Sequence, residues 1–283
     1  MAFSSEFDNF PLRHNEDNEI SDFAHKYSIV KDPILKTVSP LDFNQPNSKV
    51  YVLLRAHLMR LPLPVLDFET DFKIIQDNCM RILAALMELS SKQFWLGTLV
   101  DTLSLQQMIN QKFCAYDGEC GDLLQLPNLT SEICKSLRKM TKLKCLKDFS
   151  DNSKEDSLLK SALKTAKIGM TESLDILRWI KYDLPTILLS RLELKKNGIH
   201  LYSLKISFKI EKEGSIFYAF IGDVQQAILL TQPTRMFSSN NKNQQTMEFK
   251  FESEQKLENL ELFIINESYY GLTSRFKLND LSL

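Results

Sequence analysis

The chain has 283 residues, 43% of them hydrophobic and 25% charged, which suits about two ordinary domains and excludes global disorder. Its 35 basic and 36 acidic residues cancel, so net charge selects no class of partner, and a nucleic-acid role would have to come from local clustering. Five cysteines without a CxxC pair and four scattered histidines (His14, His25, His57, His200) argue against a disulfide framework, a zinc site or any other metal site.

The opening "MAFSSEFDNF" lacks the basic and apolar regions of a signal peptide, and no apolar run approaches the roughly 18 residues that span a bilayer. The expected setting is intracellular and reducing, in the nucleus or the cytosol or both, with no membrane partner. The sequons at Asn128 and Asn266 are then coincidental.

In chain order, Asn15 is placed to cap a first helix. Acids fill its first turn (Glu16, Asp17, Glu19), His25 and Lys26 its last, and Ile20, Phe23, Ala24 and Tyr27 its apolar stripe. The prolyl connector "SPLDFNQPNS" leads to a helix over 47–61 with His57 on its inner face, stopped by "LPLPV". Residues 69–90 form the longest helix, striped by Phe72, Ile75, Cys79, Ile82 and Leu86. Lys73, Asp77 and Arg81 stand opposite at i, i+4 and i+8. A further helix is expected over 92–112, around Phe94, Trp95, Leu99, Leu103 and Met108, and another from Thr130 or Ser131. A polar loop "DFSDNSKED" and short helices near 154–168 and 172–182 follow.

From about 186 the pattern turns to β. "GIHLYSLKISFKIEK", "SIFYAFIGD", "QAILLTQP", "QTMEFKFES" and "LENLELFIINES" read as strands, six or seven in all, with "SSNNKNQQ" as a hairpin loop. The fold class expected is α+β: a helical part, then an immunoglobulin-like sandwich.

Catalytic motifs are missing. There is no phosphate loop, GxGxxG turn, HExxH or GxSxG elbow, and only eight glycines are present. The string holding Arg13, His14, Asn15, Glu16 and Asp17 reads as a metal or acid–base cluster or, more simply, as a helix start with solvated acids. Between 135 and 147 lie Lys135, Arg138, Lys139, Lys142, Lys144 and Lys147 with no acid among them. The first four share one helical face opposite Ile133, Leu137 and Met140. That face suits a phosphate backbone, or is merely solvated. Lys73, Asp77 and Arg81 either touch a single strand or pair with one another.

"EFDNFPLRHNEDNEI", "SKVYVLLRAHLMRLPLP" and "DFETDFKIIQDNCMRILAALMELSSKQFWL" resemble successive segments of the Sec63 (Brl) unit of Ski2-like helicases. So do "LLQLPNLTSE", "FIGDVQQAILL" and "LFIINESYYGLTSRFKL", in order along nearly the whole chain. The "LPLPVLDFETD" stretch resembles helicases of the signal-cointegrator type first and those of the spliceosomal U5 type next.

The resemblance implies a non-catalytic module needing no cofactor, in three parts. These are a linker and helical bundle over 1–126 with a ratchet-like helix at 69–90, a helix-hairpin-helix over 127–183, and a fibronectin-III/immunoglobulin-like sandwich over 184–283. It makes Arg13 to Asp17 the junction to a helicase core, in cis or in trans. It also makes Lys73, Asp77, Arg81, Lys135, Arg138, Lys139 and Lys142 candidate contacts to single-stranded RNA or DNA, with protein partners on the sandwich. The hairpin turn "KMTKLK" departs from the family by lacking glycine. Two alternatives remain: a pure protein-interaction adaptor without nucleic-acid contact, and, with less support, a Sec63 protein-translocation component.

Overall fold

The computed structural model describes residues 1–36, 40–115, 121–237, 245–253 and 257–281. Ser39 of the prolyl connector, Cys120 and the expected hairpin loop at 238–244 lie outside the described residues. The chain divides into two compact units, Met1–Ala85 with Lys112–Cys114, and Leu86–Gln111 with Ala115–Leu283.

In the first unit, α1 (Glu16–Lys26), α2 (Pro46–Leu58) and the part of α3 (Leu66–Lys92) up to Ala85 bury Phe7, Phe23, Leu53, Phe68 and Ile75. Pro46 opens α2, where its fixed φ is already helical and no N–H is needed. Residues 48–54 of α2 are buried without a break, the signature of a helix enclosed on all sides. Its end follows a Schellman pattern: Leu61 N–H donates to Ala56 O (2.9 Å) and Arg60 N–H to His57 O (3.1 Å), with Arg60 left-handed at φ 56°. The helix therefore stops at 58, three residues before the expected end.

Two expectations, one about a stripe and one about a cap, are corrected. The buried row of α3 in this unit runs through Phe68, Phe72, Ile75, Cys79 and Leu83, and Ile82 is only half-buried. A step of 3.6 residues per turn carries the row one position past a heptad reading. Asn15 is also no side-chain cap. It is left-handed at φ 66° and makes no capping bond.

In the second unit, α4 (Leu96–Gln111) does not begin at 92. Trp95 N–H bonds Ser90 O and Phe94 is left-handed, so the chain breaks between helices and leaves Phe94 and Trp95 exposed. α5 (Ser131–Met140) starts as expected, Thr130 Oγ1 accepting from Ile133 N–H. α6 (Leu146–Asp151) takes up the start of the stretch expected as a polar loop. Asp148 accepts from the Lys144 and Cys145 N–H groups while Leu146 and Phe149 turn inward. α7 (Asp156–Thr165) and α8 (Met170–Tyr182) close a helical core holding Leu137, Leu146, Phe149, Leu163, Ile176 and Ile180.

Eight strands follow among the described residues, where six or seven were expected: β1 (Ile187–Lys196), β2 (Leu201–Ile210), β3 (Ile216–Asp223), β4 (Ile228–Leu229), β5 (Thr234–Phe237), β6 (Gln245–Glu252), β7 (Leu260–Asn266) and β8 (Thr273–Lys277). All pairings are antiparallel. One sheet runs β1-β2-β6 and the other β4-β3-β7-β8, with β5 also pairing β3. The sheets share a core in which Leu204, Ile206 and Phe208 of β2 meet Phe217, Ala219 and Ile221 of β3. Alternate residues Tyr218 and Phe220 leave β3 on its other side and pack with Leu96, Leu99 and Leu103 of α4. The fold class is α+β, helical first and antiparallel β second.

Candidate functional site

The charged string near the start joins an ion quartet in which Glu16, Lys49 and Asp71 are buried and Arg13 is exposed. Lys49 on α2 has a fully buried side chain, and its ammonium donates to Pro11 O (2.9 Å) and Glu16 Oε2 (2.6 Å) and lies 2.7 Å from Asp71 Oδ2. Three donors thus meet three acceptors, with the Phe10 and Phe68 rings each 5.5 Å from the charge. Arg13 clamps both acids from the solvent side. Its guanidinium grips Asp71 through two bonds (2.6 and 2.9 Å) and Glu16 through one (2.6 Å), and its backbone N–H donates to Glu16 Oε2 (2.8 Å).

Two positive and two negative groups cancel, which is what makes their burial tolerable. Burial pushes the Glu16 carboxyl up, but the Arg13 N–H, the Lys49 ammonium and the Arg13 guanidinium together hold it below the usual carboxylate range. Asp71 is held down the same way, by Arg13 and then Lys49. The Arg13 guanidinium is raised by Asp71 first and Glu16 second.

The expectation of solvated acids is therefore corrected for Glu16, which turns inward. His14 and Asn15 stay exposed and Asp17 is half-buried. Among the described residues no three His, Cys, Asp or Glu side chains converge as a metal site.

Lys73, Asp77 and Arg81 stand exposed on α3, opposite its buried row. No ion pair joins them among the described residues, and Arg81 reaches Asn78 Oδ1 (3.3 Å) instead. The self-pairing alternative is thus unformed, and the charges face water. In the second unit the basic run splits. Lys135, Lys139 and Lys142 are exposed, but Arg138 is half-buried: its Nε donates to Lys144 O (2.9 Å) and its Nη2 lies 3.5 Å from Asp122 Oδ1. Lys144 bonds Arg138 O in return, and Lys147 reaches Thr273 O and Ser274 Oγ.

Arg138 thus braces the turn after α5 rather than completing an open basic face. Asp122 is the anchor. Burial pushes its carboxyl up, against a 2.6 Å bond from Leu146 N–H and the Arg138 charge. Of the expected apolar face Leu137 is buried but Met140 is half exposed, and Cys134 is buried in its place. What the two exposed sets can do chemically is hold phosphodiester oxygens by charge, with Asp77 as the one acid between them on α3.

A sequence model of the Sec63 Brl domain matches residues 1–279. The chain belongs to the Sec63 Brl domain family. The resemblance to the Sec63 unit read from the sequence is borne out. Subunit 3 of the activating signal cointegrator 1 complex from Homo sapiens is 34% identical over 129 residues, covering 46% of this chain and 5% of that protein. The U5 small nuclear ribonucleoprotein 200 kDa helicase from Homo sapiens is 30% identical over 135 residues, 48% of this chain and 6% of its own length. An Arabidopsis thaliana DExH-box ATP-dependent RNA helicase is 28% identical over 137 residues, again 48% and 6%. The aligned part is thus about one-twentieth of these relatives. The matched span, residues 1–279, is a Sec63 Brl domain. Among the described residues no helix is long and apolar enough to cross a membrane.

Lys49 and Asp71 of the quartet went unread in the sequence. A weak signal existed for the first: a lysine at the head of the apolar run "KVYVLL", which either snorkels or finds acids.

Proposed function

We propose that the chain is a helicase-associated module that guides a single strand of nucleic acid past α3 and docks partner proteins on its β-rich part. It would work beside a helicase core, in cis or in trans, in the nucleus or cytosol. In this reading 1–126 is the bundle with α3 as the ratchet-like helix, 127–183 the helix-hairpin-helix, and 184–283 a fibronectin-III/immunoglobulin-like sandwich. The supporting observation is the exposed row Lys73, Asp77 and Arg81, unpaired with one another along one face of α3 in a domain of this family.

Fluorescence anisotropy with a labelled single strand of about a dozen nucleotides tests the proposal. Affinity should be weak at physiological salt and fall steeply between roughly 50 and 200 mM. Lys73→Glu with Arg81→Glu should weaken binding about tenfold at low salt. Reversing Lys135, Lys139 and Lys142, with Arg138 left in place to keep its turn, tests the second basic set separately. Salt-insensitive or absent binding overturns the strand-guiding role.

One observation favours the adaptor reading. Phe94 and Trp95 are about half exposed in the second unit, and Trp95 pairs with the partly exposed Ile228, an apolar surface of the kind protein partners cover. Absent strand binding, together with a partner lost on Trp95→Ala, would support it.

A further inference from the structure

Beside Lys73 on the first unit lies a cleft of about 620 Å³, within the range that holds small molecules (roughly 300–1,000 Å³). Three exposed cations, Arg60, Lys73 and Lys112, line it against a single acid, Glu69. One wall is the apolar Leu61-Pro62-Leu63 segment. Another is the half-buried His57 ring, stacked on Phe72 with centroids 4.2 Å apart and an interplanar angle of 27°.

We propose that this cleft holds one nucleotide of a single strand, its phosphate against Arg60, Lys73 and Lys112 and its base laid on the His57 ring. The inference rests on the strand-guiding reading and adds to it a site beside the α3 row, sharing Lys73 with it. An anion alone would need the cations but not the ring and prolyl walls. A base with its phosphate uses both, because every base offers a π-face to stack on a ring and every linkage an oxygen for a cation. An acidic peptide matches the charge and leaves the flat wall unused.

The backbone adds a second reason. Arg60 and Lys112 are both left-handed, at φ 56° and 53°, and Arg60 Nε donates to Lys112 O at 2.7 Å. Glycine is the residue that such backbone favours. At both positions the chain carries a long basic side chain, and the two are tied into one corner of the cleft.

This conformation separates binding from folding. Arg60→Gly and Lys112→Gly relieve the left-handed backbone, which offsets the lost Arg60 Nε to Lys112 O bond, so the melting temperature should hold. Together they should weaken binding of a single-stranded RNA oligonucleotide about tenfold, and each should make the log–log salt slope shallower by about 0.7. Lys167→Gly is the control, since it changes a lysine at another left-handed helix end (φ 59°) and should leave affinity unaltered. His57→Ala should lower affinity for the RNA but not for inorganic polyphosphate, which has no base.

Strand binding that survives both glycine variants while Lys73→Glu with Arg81→Glu weakens it overturns the cleft and leaves the strand-guiding reading standing. A chain that binds no single strand overturns both. A polyglutamate peptide that competes as well as RNA overturns the nucleotide assignment in favour of an acidic protein segment.

Discussion

Replacing Lys49 by alanine is expected to cost about 3–5 kcal/mol, measured by urea denaturation of the full chain followed by circular dichroism. The change removes one positive charge from a site where Glu16 and Asp71 are buried. Arg13 would be left to balance two carboxylates, and Pro11 O would lose its donor. Arg13→Ala should cost less, about 1–3 kcal/mol, because its side chain is 41% exposed and water can take over part of its role. A Lys49→Ala cost below that of Arg13→Ala would mean that the buried ammonium is not the centre of the network.

The same network sets the acid limb of stability. Glu16 and Asp71 are held below the ordinary carboxylate value of about 4, which the unfolded chain restores. A depressed folded value stabilises fully above the unfolded one, and the gain is lost as pH falls through the folded values. Wild-type stability should therefore hold down to about pH 4 and drop below it. In Lys49→Ala the acids lose the ammonium that held them down, so protonation relieves the unbalanced charge. The gap between variant and wild type should narrow as the pH falls. Parallel pH profiles would refute the pairing.

The quartet also shows where the sequence could be read and where it could not. Arg13 and Glu16 are three apart, so their meeting is local and visible in the string. Asp71 is 58 residues from Arg13 and Lys49 is 33 from Glu16, and only the packing of α1, α2 and α3 makes them neighbours. An inward acid and an outward one look alike at the start of a helix, which is why Glu16 passed for solvated.

Element type was legible where periodicity was long. α3, α2 and the central strands stand where hydrophobic patterning put them. Ends and short elements were decided by hydrogen bonds that leave little trace. Phe94 is a poor candidate for left-handed backbone, yet the Leu229 N–H to Phe94 O and Leu96 N–H to Ala227 O bonds pin the break there. Six-residue α6 rests on one acid, Asp148, and two inward side chains. At the basic run, spacing alone grouped Arg138 with Lys135, Lys139 and Lys142. A buried acid 16 residues earlier, Asp122, withdraws it.

β3 carries the other large effect. Phe220→Ala should destabilise the second unit by about 3–5 kcal/mol, seen as a lowered unfolding transition by calorimetry. Its burial runs almost unbroken because both faces are covered, one by the facing sheet and the other by α4. That is why "FYAFIG" lacks the alternation of a half-solvated strand. Phe220 is fully buried and stacks on Phe263 of β7 with centroids 5.3 Å apart, the seat on which Leu96, Leu99 and Leu103 rest. The fit tolerates no addition either: a Cβ at Gly222 would lie 2.7 Å from both Leu96 methyls. Phe237→Ala, by contrast, truncates a ring that is 61% exposed at the edge strand β5 and should change stability by less than about 0.5 kcal/mol. Equal shifts for the two phenylalanines would mean that α4 does not close the sheet. A large shift at Phe220 alone places α4, and the exposed Phe94–Trp95 turn hydrogen-bonded to the β3–β4 connection, on the same packed foundation.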